Sequence, residues 1–246
     1  MNESSNWKKF YRKQYGGHWQ QFSQSLAQQP YHVHYQEACL APVREVRGKV
    51  LEVGVGRGDL LYRIPHESCE LHGCDLSESN IAACMERFRE NRRDVKLYHA
   101  DAEHLPFANN IFDAVYSLSV LWYVPDYRNA IREMFRVTKP GGLVVFDMYN
   151  AWHITSFSNH LWRKLCRIFG RELGYTTLST VKDLIRGIEP IAKEYHVLGN
   201  YLVLPAGLPI LKEAGNLCRF FPSLAYAMNE GTLRNLSHKL LVVARK

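Results

Sequence analysis

From about residue 49 onward, apolar runs of strand length alternate with segments of helical periodicity. KVLEVGV (49–55), CELHGCD (69–75), VKLYHA (95–100), FDAVYSL (112–118) and GLVVFDM (142–148) each end at glycine or polar punctuation. Between them, GDLLYRI, SESNIAACMERFREN and YRNAIREMFRV read as helices, and the last sets Ala130, Ile131, Met134, Phe135 and Val137 close to one stripe. Lys139-Pro140-Gly141-Gly142 is expected to stop that helix and turn into the next strand. A strand–helix alternation of this kind is satisfied by a parallel, doubly wound sheet with helices on both faces.

Two more strands are expected at 191–204 and 238–245, bringing the sheet to seven. The predicted fold is α/β: a Rossmann-like, mostly parallel seven-stranded sheet with an antiparallel C-terminal strand and helical cap segments. The whole chain, 1–246, reads as one domain. Residues 1–48 form a helical lid, 49–149 the core, 150–190 and 205–237 the caps, and 238–246 the last strand. No window approaches the ~18 uninterrupted apolar residues of a spanning helix, and MNESSNWKKF does not resemble a secretory leader. The six cysteines include no C-x-x-C pair and read as reduced core residues, which suits a cytoplasmic protein.

The glycines of VLEVGVGRGDLL (50–61) lie where the first strand should turn into the first helix. Glycine there permits positive φ and a close backbone approach, with a helix N-terminus offering N–H groups. A dinucleotide site asks for G-x-G-x-x-G/A. Here the third position of that pattern is Asp59, a poor neighbour for a pyrophosphate. The spacing is instead E-x-G-x-G-x-G, and Glu52 suits a cationic amine, met directly or through water. Asp75, at the tip of the second strand, can accept both hydroxyls of a ribose; the alternative is an acid capping the helix that begins near Ser77. Asp101, after the third strand, can accept from an exocyclic amine of adenine, or serve as a turn residue. An amine, a ribose and an adenine together describe S-adenosylmethionine (SAM).

At these residues the chain resembles the class I SAM-dependent methyltransferases, especially the small-molecule group that includes the ubiquinone and menaquinone methyltransferases. VLEVGVGRGDLL, GCDLS, DAEHLPFANNIFDAVYS, SVLWYVPD and KPGGLVVFD fall in that family's order over about residues 49–149, and KLLVVARK looks like its last strand. The resemblance implies that Glu52, Gly54, Gly56 and Gly58 surround the methionine end of SAM. It implies that Asp75 holds the ribose with Leu76 against the adenine, and that Asp101 and Ala102 hold the adenine edge. Ser117 and Leu118 would lie beside the methionine, and an N-terminal lid would bring in Tyr15, His18 and Trp19.

Methyl transfer is an in-line displacement at an already activated sulfonium carbon, so the protein mainly aligns the partners and excludes water. An acceptor that must lose a proton also needs a base, and His18, Tyr123 and His153 are the candidates. His32-Val33-His34 offers two metal ligands without a third, so no metal is expected. Residues 1–50 carry 7 Lys and Arg against 3 Asp and Glu, and 151–246 carry 13 against 6, around an acidic centre. With the aromatic-rich caps, that basic rim suits a medium-sized, partly apolar or anionic metabolite; the caps also fit a peripheral membrane contact. Base-amine methyltransferases typically show an Asn/Asp-Pro-Pro-aromatic stretch where this chain reads SLSVLWYV, which argues against a nucleic acid partner. RNA or protein acceptors, or a SAM-binding partner subunit without turnover, are the alternatives. Nothing in the sequence bears on oligomeric state.

Overall fold

A computed structural model describes residues 11, 30–153, 160–162, 165, 168–169, 177–200, 235 and 237–246. Among these, seven strands form one sheet: β1 (Gly48–Val53), β2 (Cys69–Asp75), β3 (Lys96–His99), β4 (Phe112–Ser117), β5 (Thr138–Tyr149), β6 (Glu194–Asn200) and β7 (Lys239–Arg245). The order across the sheet is β3-β2-β1-β4-β5-β7-β6. β1 to β5 pair in parallel, and β7 lies antiparallel between β5 and β6. The order reverses at β1, between β2 and β4, which makes the carboxyl end of β1 the topological switch point where ligands bind in such sheets.

Strand alternation divides the core into two layers. On one face Val50, Leu71, Ala114, Tyr116 and Val145 pack against Tyr35, Cys39, Leu40 and Val43 of α1 (Pro30–Arg44) and Cys84 and Phe88 of α2 (Glu78–Glu90). On the other, Leu51, Val53, Val115, Val144 and Phe146 meet α3 (Tyr127–Val137) and α4 (Val181–Ile188). The expected stripe on α3 is buried throughout, from Ala130 to Val137. The helices begin where side chains satisfy orphan amides: Ser77 accepts from Asn80 N, Asp126 from Asn129 N, and Thr180 with Asp183 forms a capping box.

Two local expectations are corrected. GDLLYRI forms only a 3₁₀ turn, Leu61–Arg63, because Pro65 biases Ile64 out of the helical region, and Ile64 is extended at φ −79, ψ 136. The helix α3 ends at Val137 and the strand begins at Thr138, so Lys139-Pro140-Gly141-Gly142 does not separate them. It forms a bulge within β5, where pairing jumps from Phe112↔Thr138 to Ala114↔Leu143. Gly141 takes φ +78 there, and Pro140 occupies a position that needs no ladder donor. The expected cap at 205–237 lies, but for residues 235 and 237, outside the described residues. No helix among the described residues is long and apolar enough to cross a membrane.

Candidate functional site

The strand order sets the carboxyl ends of β3, β2, β1 and β4 side by side. Asp101, Asp75, the glycine loop and Ser117–Leu118 therefore share one edge of the sheet, although 65 positions of chain separate Glu52 from Ser117. Asp75 O accepts from Ala100 N at 3.0 Å, which ties the second and third strand tips together.

The glycine loop is not a phosphate cradle. Gly54 N and Val55 N donate to Cys74 O at 2.8 and 2.9 Å, Gly58 N to Val55 O at 2.9 Å, and Gly56 N to Asp75 Oδ2 at 2.9 Å. The amides that would gather an anion are already engaged, and no α-helix N-terminus stands behind them. The reasons for glycine also differ along the loop. At Gly54 (φ +79) a Cβ would meet Val120 Cγ2 at 2.4 Å, and at Gly58 (φ +78) Cys84 Sγ at 2.6 Å, so these two are bare for the sake of protein packing. At Gly56 (φ +54) nothing lies within 4 Å, and there the bare backbone faces open space. Asp59 turns outward to an ion pair with Arg87.

The three acids occupy different environments. Glu52 is 2% exposed and accepts from Tyr116 Oη at 3.0 Å. Burial pushes its carboxyl well above the usual carboxylate range, against the opposing effect of the Tyr116 bond. Asp75 receives Gly56 N on one oxygen, and Ser77 N at 2.8 Å and Asn80 Nδ2 at 3.2 Å on the other. Burial raises its carboxyl too, and those hydrogen bonds pull it back. It thus joins the glycine loop to the start of α2, while Ser77 itself caps that helix. Asp101 Oδ1 accepts from Glu103 N at 3.0 Å in a tight turn closed by His104 N on Asp101 O. Asp101, Glu103 and His104 form one cluster of metal-ligand types, and Glu103 there accepts from Asp126 N at 3.0 Å.

The Glu52 environment predicts a pH effect. A carboxyl raised in the fold binds its proton there more tightly than in the unfolded chain. Stability is then greatest below the unfolded value of 4.5 and declines as pH rises toward the folded value. Glu52→Gln, which keeps an acceptor for Tyr116, should melt higher than the wild type at pH 8 by a few degrees, with a smaller difference at pH 5. Equal differences in thermal melts at both pH values would refute the buried, protonation-prone assignment.

The remaining sequence candidates separate clearly. Ser117 is fully buried and donates to Val53 O at 2.8 Å, and Leu118 is 4% exposed in the α1-side core. Their side chains are committed to the sheet, so only their backbone can face a ligand. Leu76 is half-buried with its carbonyl near His99 Nε2 at 3.0 Å, and Ala102 packs against the α3-side core. Tyr123 sits in a 3₁₀ turn after β4, with the Tyr11 ring centroid 5.1 Å away. His153 is 4% exposed and faces His238, Nδ1 to Nδ1 at 3.3 Å, where burial and its neighbours lower His238 to about 3. It lies four residues past the end of β5, buried beside His238. Tyr15, His18 and Trp19 lie outside the described residues.

A buried polar cluster was missed by the sequence reading. Asp147 of β5 is fully buried and holds Tyr35 Oη, Ser119 N and Lys239 Nζ. The one signal was a lone acid inside GLVVFDM, a central strand that is otherwise apolar.

Residues 51–146 match the family described as "Methyltransferase domain". The demethylmenaquinone methyltransferase of Staphylococcus aureus is 42% identical over 100 residues, covering 39% of this chain and 41% of that protein. The chain thus matches less than half the length of that relative. Among solved structures, the YcgJ protein of Bacillus subtilis superposes with a TM-score of 0.62 at 18% identity, over 87% of this chain and 98% of its own. Phosphoethanolamine N-methyltransferase 2 of Haemonchus contortus, solved with phosphomonomethylethanolamine and S-adenosylhomocysteine, gives 0.60 at 19% identity over 87% of this chain and 52% of its own. The structural likenesses show the fold, and the sequence match falls on the strands and loops that build the edge described above. Over residues 51–146 this chain is therefore similar to the methyltransferase domain family and to the demethylmenaquinone methyltransferases.

Proposed function

We propose that the protein transfers a methyl group from SAM to a small, partly apolar acceptor. The observation that supports this most is the character of the switch-point loop. Its amides are spent within the protein, its one open glycine is Gly56, and carboxylates rather than cations stand beside it. That set repels a pyrophosphate and suits a ligand with an ammonium, two ribose hydroxyls and an adenine amine. In this reading Glu52, Gly54, Gly56 and Gly58 surround the methionine end of SAM, Asp75 holds the ribose with Leu76 against the adenine, and Asp101 with Ala102 takes the adenine edge. Ser117 and Leu118 offer backbone beside the methionine, and Tyr11 rests on Tyr123 in the turn after β4.

The activated methyl group comes with the cofactor when it is bound. The chain's own contribution is to hold donor and acceptor in line and to keep water out. The acceptor class follows from two supports. A relative is named for demethylmenaquinone, and Trp152, Trp162, Ile168 and Phe169 are 62–79% exposed in the segment that follows β5. An aromatic acceptor with an apolar substituent fits both.

Thermal unfolding with SAM, S-adenosylhomocysteine, NAD and NADP tests the cofactor. At a hundredfold excess over Kd a native-state ligand adds about 2.7 kcal/mol, or roughly 5–10 °C in a chain of this size. The shift is expected with SAM and S-adenosylhomocysteine and not with the nicotinamides. Incubation with methyl-deuterated SAM and a panel of quinols and phenols, read by mass spectrometry, then tests the acceptor. A shift with NAD alone would overturn the assignment.

A further inference from the structure

The cluster around Asp147 joins four distant parts of the chain at the edge where the cofactor is proposed to bind. Ser119, in the turn after β4, has φ +65, a conformation that L side chains rarely adopt. Such residues persist where their surroundings over-determine them, and they concentrate at functional sites. Here the surroundings are explicit. Ser119 N donates to Asp147 Oδ1 at 2.6 Å, and Lys239 Nζ donates to Ser119 Oγ at 3.2 Å and to Asp147 Oδ2 at 3.3 Å. Tyr35 Oη donates to the same Asp147 oxygen from α1. The ammonium is walled by the rings of Trp122 and Tyr35, at 4.4 and 4.6 Å from their centroids. The next residue, Val120, occupies the space that a side chain at Gly54 would need. The turn held by Asp147 and Lys239 is therefore the surface on which the glycine loop rests.

We propose that Asp147 and Lys239 are positioning residues of the SAM site. They hold the Ser119 turn so that Val120 bears on Gly54 and the glycine loop is presented to the cofactor in a single geometry. Neither residue touches the cofactor in this arrangement; both act through Ser119 and Val120. The proposal rests on the SAM reading for its functional consequence, and on the geometry alone for the coupling between the two loops.

The test compares two double variants that both remove the buried charges. Asp147→Asn with Lys239→Met keeps a side-chain acceptor for Ser119 N, whereas Asp147→Leu with Lys239→Met removes it. Hydrogen exchange of the cofactor-free proteins in peptides spanning 53–58 and 117–121 should be about tenfold faster in the second variant than in the first, the loss expected for one buried hydrogen bond. S-adenosylhomocysteine should bind the second variant about tenfold more weakly than the first, with rescue by the asparagine marking a positional role. Val120→Ala leaves the buried pair intact and should speed exchange in 53–58 and weaken the same ligand; it carries the test if the leucine variant does not fold. Equal exchange in the two double variants, or unchanged exchange in Val120→Ala, overturns the coupling. Equal S-adenosylhomocysteine affinity across the variants, in a protein whose wild type binds it, overturns the positioning role. A wild type that does not bind it refutes the SAM reading, and exchange then decides the coupling alone.

Discussion

Asp147→Ala should destabilise the protein by about 3–5 kcal/mol, the usual cost of removing one partner from a buried ion pair. The substitution leaves Lys239, 8% exposed, with its charge uncompensated, and takes an acceptor from both Tyr35 Oη and Ser119 N. In a chain of this length that loss corresponds to roughly 10 °C in melting temperature. Replacing both charges, with Asp147→Leu and Lys239→Met, should cost less than the single substitution, because the expense lies in the orphaned charge and not in the pair itself. Urea and thermal unfolding of the three proteins measure this directly. A single variant within about 1 kcal/mol of wild type would show that the pair is not buried as described.

Asp75→Ala should weaken S-adenosylhomocysteine binding by about a hundredfold, or about 2.7 kcal/mol, the scale of losing charge-assisted bonds to two ribose hydroxyls. The structure adds a second consequence that an isolated ribose contact would not have. Asp75 also receives Gly56 N, Ser77 N and Asn80 Nδ2, so the alanine variant should lose about 1–2 kcal/mol of stability through unpaired donors. Asp75→Asn separates the two effects, since the amide can retain Gly56 N on its oxygen while losing the charge that strengthens ribose binding. Calorimetric titration of both variants is the measurement. A folded Asp75→Ala with affinity within threefold of wild type would refute the ribose assignment.

Much of this protein is written in patterns that depend on neighbours along the chain. The seven strands, the stripe on α3 and the Ser77 start of α2 follow from periodicity and capping, which are local physics. The order of Glu52, Gly54, Gly56, Gly58, Asp75 and Asp101 was also legible, because strand ends in a parallel sheet all deliver their residues to one edge. Where local reading failed, a specific residue was responsible. Pro65 cut the first helix to a 3₁₀ turn, and the Lys139–Gly142 segment entered the strand as a bulge instead of preceding it.

The sequence by itself determined the fold class, the switch-point loop and the acids that flank it. Only the tertiary structure decided why each glycine is bare: Gly54 yields to Val120 and Gly58 to Cys84, while Gly56 alone opens outward. It also decided that His153 is packed against His238 and that Ser117 is spent on Val53. Above all, it assembled Tyr35, Ser119, Asp147 and Lys239, residues 28 to 120 positions apart in their contacts. No periodicity joins such residues. Their partnership exists because β7 inserts antiparallel beside β5 and sets Lys239 opposite Tyr149, two residues from Asp147, and only the folded sheet creates that proximity.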